Sequence, residues 1–465
     1  MTQIFVTSTL YGAVAVSAAV DAGLFGERGR RRILLVSNNA AIPELAVPVD
    51  QAPGFEVLAP RFDEVRSWNE EIAPLHPGGW LPRTEELPLW ERVFRERWEL
   101  GGDPLEIVVE SVSASPARTI ASIFHDAEVT VYSEGLMSYG PTRTPLPNAV
   151  GTQITRQLHL NLVPGLEPQL LREHEVPAEA IPEEPFRAVL DKLGAHLAPL
   201  VARHREHDGD LDGAALVVGQ YLAALDLLTE DEEQDLHLTM LRGVAARGHA
   251  TVLFKPHPGS PARSTARLAA EAERLGVRLV VIDAPVPAEV WCGAVRPELI
   301  VGCFSTALVT ASRFYGIPAA AVGSTPMLKR LTPYHNSNRI PVTVIDTMLP
   351  HLEADGTLHD PLFRGEGAAA ELNGLVKAVS YCMRASARPD LREDALAFLH
   401  AHPGEPWSRY FTRRRLTSLD LPGGFSTAHP KVLNAVLPRS SRRRQIAVSV
   451  FRRTEQLRAK ARDGS

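Results

Sequence analysis

Short apolar runs rich in β-branched residues alternate along this chain with longer segments whose apolar positions recur at helical spacing. Ile4-Phe-Val-Thr7 reads as a strand, Ala13 to Ala22 as a small-residue helix and Arg32 to Ser37 as a second strand, which together make one βαβ unit. The alternation continues less regularly through Gly54 to Leu58 and a Trp- and Pro-rich stretch from Trp68 to Trp90, expected to form an irregular recognition surface. A helix over Leu87 to Leu100, a strand at Leu105 to Val109, a helix from Ser115 with Pro116 in its first turn and a strand at Glu128 to Tyr132 complete a first parallel-sheet domain.

From Ile181 to His207 the spacing is helical and increasingly polar, ending in Asp208-Gly-Asp-Leu-Asp-Gly213. Alternating aspartates before a glycine open a calcium loop, but that loop needs a carboxylate at its twelfth position, and here that position is Gly219. A flexible hinge is the expectation instead. Beyond it, strands at Ala214 to Val218, Thr251 to Phe254, Val277 to Ile282, Leu299 to Val301 and Pro318 to Val322 alternate with helices at Thr229 to Arg247, Ala262 to Leu275, Val286 to Trp291 and Ser305 to Tyr315. That pattern specifies a second doubly wound α/β sheet. Helices at Glu371 to Arg384 and Leu391 to His400 follow. The expected division is 1–185, a hinge at 186–213, a second domain at 214–365, C-terminal helices at 366–415 and a basic tail at 416–465.

Composition narrows the function classes. A net charge of −6 over 465 residues argues against a general nucleic-acid binder, which needs an excess of basic surface. Cys292, Cys303 and Cys382 are too scattered for a zinc site and odd in number, which fits a reducing cytoplasm. Leu10 to Val20 lacks the positive flank of a signal peptide, and no apolar run reaches the ~18 residues of a membrane span. The arginine-rich stretch from Arg439 to Arg462 carries Ile446, Val450, Phe451 and Leu457 at roughly helical spacing. It reads either as a solvated helix or as a basic amphipathic helix on an anionic membrane surface, which would make the protein peripheral to the inner face of the membrane.

In a doubly wound sheet the carboxyl ends of the parallel strands share one edge, and ligands bind there. The strand exits of the second half carry Gly219 and Gln220; Lys255 and His257, stiffened by Pro256 and Pro258; Asp283, with Glu289 in the helix after it; and Gly302-Cys-Phe-Ser-Thr306. Lys255 is one of only six lysines in a chain that otherwise uses arginine. Ser305 and Thr306 open a helix whose free N–H groups suit an anion, although Ser305 alone reads equally well as an N-cap. Together the exits point to a nucleotide sugar or a similar phosphoester.

Glu134-Gly135 at the end of a first-domain strand, Lys255-Pro-His257-Pro258 and the Ser305-Thr306 pair about fifty residues later, in that order along the chain, resemble the motifs of the bacterial sialyltransferases, most closely the alpha-2,8-polysialyltransferase-like family. The resemblance implies a GT-B fold, two Rossmann-like domains facing a cleft, and an inverting transfer of a nonulosonic acid from a CMP-linked donor to a glycan or glycolipid acceptor without a metal or other cofactor. It further implies Glu134 as general base, His257 as the group that protonates or hydrogen-bonds the leaving phosphate, Lys255, Ser305 and Thr306 as its electrostatic support, Glu289 on the ribose and Gln220 on the inner wall. Tyr11, Tyr139 and Arg143 are the expected acceptor contacts. The chain departs from the family at Ser133, where the motif usually has a first acidic residue. Two other readings remain: a different GT-B transferase, of Kdo-type capsule or CDP-polyol-phosphate chemistry, and an inactive sugar-nucleotide or glycan-binding homologue.

Overall fold

The computed structural model describes residues 1–26, 28–257 and 265–425; Pro258 and the basic segment 439–462 lie outside them. Met1–Val376 form one compact unit and the chain from Lys377 a second. The first unit contains two seven-stranded sheets. Strands β1 (Thr2–Thr7), β2 (Arg31–Val36), β3 (Glu64–Ser67), β4 (Leu105–Val109), β5 (Glu128–Ser133), β6 (Ile154–Leu160) and β7 (Ala178–Ile181) make the first, ordered β3-β2-β1-β4-β5-β6-β7. Strands β8 (Ala215–Val218), β9 (Thr251–Lys255), β10 (Arg278–Val281), β11 (Leu299–Gly302), β12 (Ala319–Ala321), β13 (His351–Leu352) and β14 (Leu358–His359) make the second, ordered β10-β9-β8-β11-β12-β13-β14. All ladders are parallel except β13 with β14. Both sheets are therefore wound alike: the chain moves outward from a central strand, then returns past it, which leaves a switch point between β1 and β4 and another between β8 and β11.

The run Thr2–Thr7 is buried along its whole length because helices cover both faces of the sheet, as parallel strands require. The helix Leu10–Asp21 that follows is built of Ala and Val, buries nearly all of its residues, and starts where Thr9 accepts the Gly12 amide. β6 and β7 extend the first sheet beyond the sequence expectation.

The Trp-rich stretch is not a recognition surface. Trp68 and Trp98 are fully buried, Trp80 and Trp90 meet edge to face at 4.9 Å, and Phe94 stacks on Trp98 at 4.9 Å. Trp90, Phe94 and Trp98 recur at helical spacing from the helix Leu87–Arg97, so one face delivers all three rings into the core. Burial on this scale outweighs any binding role for these rings.

The stretch between the sheets begins as packed structure: helices Glu183–His196 and Ala198–Asp208. Phe186 is fully buried, with Tyr11 at 5.7 Å on one side and Phe314 at 5.4 Å on the other, and Glu183 pairs with Arg313 at 2.7 Å. The aspartates that follow are taken up by local cations: Arg205 reaches Asp210 at 3.4 Å and Asp212 at 3.1 Å, and His204 reaches Asp208 at 2.9 Å. In the second unit, Phe398, His402 and Trp407 pack ring on ring, and Arg415 donates to the Cys382 carbonyl at 2.6 Å. Among the described residues no helix is long and apolar enough to cross a membrane.

Candidate functional site

β9 ends in Lys255, and pairing with β8 on one side and β10 on the other sets its exit beside theirs. The Gly219 amide donates to the Lys255 carbonyl at 2.9 Å. A side chain at 219 would meet Phe254 at 3.2 Å and the Lys255 carbonyl at 3.4 Å, so a glycine lets the two exits close on each other. Gln220 Oε1 accepts the Phe304 amide at 2.7 Å, tying the exit of β8 to the loop after β11. Tyr221 lies parallel to the His257 ring, centroids 5.7 Å apart.

Lys255 is buried, its Nζ donating to the Pro256 carbonyl at 3.3 Å; loss of water lowers its pKa to about 8, and the Asp283 carboxylate partly opposes this. His257 lies at the surface, yet the water lost on its inner side, together with the Lys255 charge, moves its pKa below the usual histidine range. Pro256 is half-buried beside it. Ser305 caps the helix Thr306–Tyr315, its hydroxyl accepting from the Ala307 amide at 3.3 Å. The N-cap reading therefore holds for that hydroxyl.

Thr306 meets the first sheet. The Leu136 amide donates to Thr306 Oγ1 at 3.4 Å, and a Cβ on Gly135 would lie 3.2 Å from the same oxygen. Further along the loop a Cβ on Gly140 would lie 3.2 Å from Ile340, in the helix Arg339–Met348. The exit loop of β5 is thus seated on two helices of the second sheet, and Glu134 is carried to that contact. Glu134 is half-buried, and desolvation first, then the nearby Glu110, pushes its pKa up to about 7.

Glu110, directly after β4, went unnoticed in the sequence. Its Oε1 accepts from the Ser8 amide at 2.6 Å and from Thr7 Oγ1 and the Tyr132 hydroxyl at 3.3 Å each; its Oε2 accepts from Ser8 Oγ at 2.6 Å. The available signal was the one used in the second half, a charged residue immediately after an apolar strand. Tyr221 was missed for a different reason: its position follows from stacking on a loop distant in sequence.

Several expected contacts are placed elsewhere. Tyr139 is a core residue, fully buried, its hydroxyl accepting from the Val163 amide at 3.0 Å and donating to the Leu160 carbonyl at 3.5 Å, and cannot meet an acceptor. Tyr11 has an enclosed hydroxyl, and burial followed by the Glu289 charge raises its pKa. Glu289, expected to face a ribose, is turned inward at 5% exposure and accepts from Thr310 Oγ1 at 3.0 Å; burial raises its pKa. Tyr11 and Glu289 lie where helices pack, and packing there hides the polar atom. Arg143 is exposed. Among the described residues no three His, Cys, Asp or Glu side chains are grouped as ligands of a metal.

The alpha-2,8-polysialyltransferase (POLYST) family model matches residues 3–324. Among solved structures, the chain is similar to the GT-B domain of a sialyltransferase from Photobacterium damselae, with 10% identity over 74% of this chain and 95% of that one and a TM-score of 0.40. It is also similar to a putative UDP-N-acetylglucosamine 2-epimerase from Listeria monocytogenes, with 13% identity over 81% and 96% and a TM-score of 0.42. No curated protein matches it. The match covers the whole first sheet and the second as far as β12, well over half of the chain, so the chain belongs to the alpha-2,8-polysialyltransferase family and is a glycosyltransferase.

Proposed function

We propose that this glycosyltransferase moves a nonulosonic acid, such as sialic acid, from a CMP-linked donor to a glycan acceptor, with inversion and without a metal. One observation carries the reading: Gly135 and Leu136, the two residues directly after Glu134 in the first sheet's β5 exit, lie against Thr306, at the start of the second sheet's helix after β11. A carboxylate and an anion-binding helix end are thereby brought to one place from opposite sheets. In the proposed step the acceptor oxygen bonds to the anomeric carbon as that carbon's bond to the CMP phosphate oxygen breaks, and the acceptor's proton passes to Glu134. With a pKa near 7 Glu134 is a far better base at neutral pH than an ordinary glutamate.

The departing phosphate gains charge, which Lys255 and the amides at the start of the helix Thr306–Tyr315 offset. His257, neutral at pH 7, contributes a hydrogen bond rather than a full positive charge. Glu289 reaches a ribose only if its bond to Thr310 opens, so the ribose contact is not assigned to it. On charge alone, the basic segment 439–462 would hold the enzyme near an anionic membrane surface.

The test is transfer from CMP-sialic acid to a panel of glycan acceptors, by the parent and by Glu134→Gln. The parent transfers sugar without added divalent metal and is stabilised more by CMP than by UMP. Glu134→Gln lowers kcat by roughly 10²-fold or more, the scale of a positioned base, with CMP binding nearly unchanged. Binding of CMP with no transfer or donor hydrolysis by the parent would replace the enzyme reading with a binding protein, and a full rate in Glu134→Gln would place the base elsewhere.

A further inference from the structure

Glu110 is more elaborately held than a strand-end glutamate needs to be. It stands one residue past β4, whose neighbour β5 ends in the loop that carries Glu134, and the pairing of Val109 with Val131 puts Glu110 level with Tyr132. Four donors converge on its carboxylate: the Ser8 amide and hydroxyl at 2.6 Å each, and the Thr7 and Tyr132 hydroxyls at 3.3 Å each. Tyr132 is itself anchored, donating to the Val6 carbonyl at 2.9 Å. The helix beginning at Leu10 leaves room for the carboxylate only because residue 12 is glycine, where a Cβ would come 3.0 Å from Glu110 Oε1. Three neighbouring strand exits, those of β1, β4 and β5, are therefore shaped around this side chain.

We propose that Glu110 is a positioning residue for the transfer reaction: clamped by Ser8, Thr7 and Tyr132, it holds a carboxylate next to Glu134 from the adjacent strand and sets the electrostatic surroundings of the base. The inference rests on the reading of Glu134 as that base. The titratable groups facing Glu134 are Glu110 from β4, Tyr132 from its own strand and Tyr11 from the helix after β1. Burial keeps both phenols protonated well past neutral pH, and the partner brought up from the second sheet, Thr306, is neutral. That leaves Glu110 as the neighbour whose charge makes Glu134 a stronger base. The clamp keeps the two carboxylates from relaxing apart, which an unanchored glutamate would do.

The test compares pH profiles of kcat/KM for the parent, Glu110→Gln, Ser8→Ala and Glu134→Gln, each first shown to unfold cooperatively. Glu134 accepts a proton only when ionised, so the parent's rate rises with pH through about 7. Removing a neighbouring negative charge lowers the pKa of the base, so in Glu110→Gln the acidic limb moves to lower pH by about one unit, the effect of a single nearby charge. Glu110→Asp, which keeps the charge, returns the limb toward the parent's position. Ser8→Ala, which loosens the clamp on Oε2 while keeping the charge, moves the limb in the same direction as Glu110→Gln and carries the test should Glu110→Gln fail to fold. Loss of rate in Glu134→Gln together with an unmoved acidic limb in Glu110→Gln or Ser8→Ala overturns the role of Glu110. Full rate in Glu134→Gln overturns the underlying reading of the base, a separate outcome.

Discussion

Two residues apart, Lys255 and His257 carry different charges at neutral pH. Both lose water on the inner side of the β9 exit, and desolvation disfavours the charged form of each. For the lysine, with its pKa at about 8, the cation survives at pH 7; for the histidine, already near neutrality and next to that cation, it does not. The sign for activity follows. A protonated Lys255 supports the leaving phosphate below pH 8 and is lost as pH rises through that value, so kcat/KM should fall on the basic side with Lys255 as its cause. Lys255→Arg keeps a cation at all working pH values. It is expected to remove the basic limb while lowering the plateau, since a larger planar guanidinium in this buried place moves the charge from where the ammonium holds it. A basic limb that persists in Lys255→Arg would assign it to another group.

At the scale of one element, the helix Leu10–Asp21 sets propensity against space. By propensity alone Gly12→Ala should stabilise it by up to about 1 kcal/mol. Its new Cβ, however, would stand 2.8 Å from Thr7 Oγ1 and 3.0 Å from both Thr9 Oγ1 and Glu110 Oε1, all of them held by hydrogen bonds. Overpacking of this kind costs about 1–3 kcal/mol, so the crowding wins and the variant should melt lower than the parent. Gly194, near the end of the helix Glu183–His196, has nothing within 4 Å of its Cβ position. There Gly194→Ala should raise the melting temperature, by the roughly 0.5–1 kcal/mol of propensity alone. Equal shifts in the two variants would mean that the Thr7–Glu110 corner yields easily, contrary to its bonding.

Within the first unit, one helix joins the two sheets. Glu183–His196 puts Phe186 between Tyr11, after β1, and Phe314, in the helix after β11, and Glu183 adds an ion pair to Arg313 at 2.7 Å. Both partners of that pair are about one-third exposed, so it contributes little beside the buried ring. Phe186→Ala is expected to cost about 3–5 kcal/mol, measured by denaturant unfolding. Because Phe186 touches a helix of each sheet, the same variant should lower kcat even where the folded fraction is complete, through a looser fit of the loop after Glu134 to Thr306. A stability loss with full activity in the folded fraction would show that the β5 loop and its two seating helices hold that fit on their own.

The amino-acid sequence by itself determined the two alternating sets of strands and helices, because the period of apolar residues and the cost of burying unpaired backbone leave few other arrangements. It also determined that Gly219, Gln220, Lys255, His257, Ser305 and Thr306 lie along one edge, since parallel strands end together. Only the tertiary structure decided which polar side chains face a substrate. Tyr139 and Glu289 carry the chemistry of contact residues, but the segment after β6 encloses the first and a neighbouring helix the second, and no local pattern encodes which distant element will cover a side chain. The same holds for the aromatic run from Trp68 to Trp98, whose rings converge in the core by long-range packing. Glu110 is the reverse case: an ordinary residue in sequence, it gains its place beside Glu134 because β4 and β5 pair and because Ser8, over 100 positions earlier, closes on it.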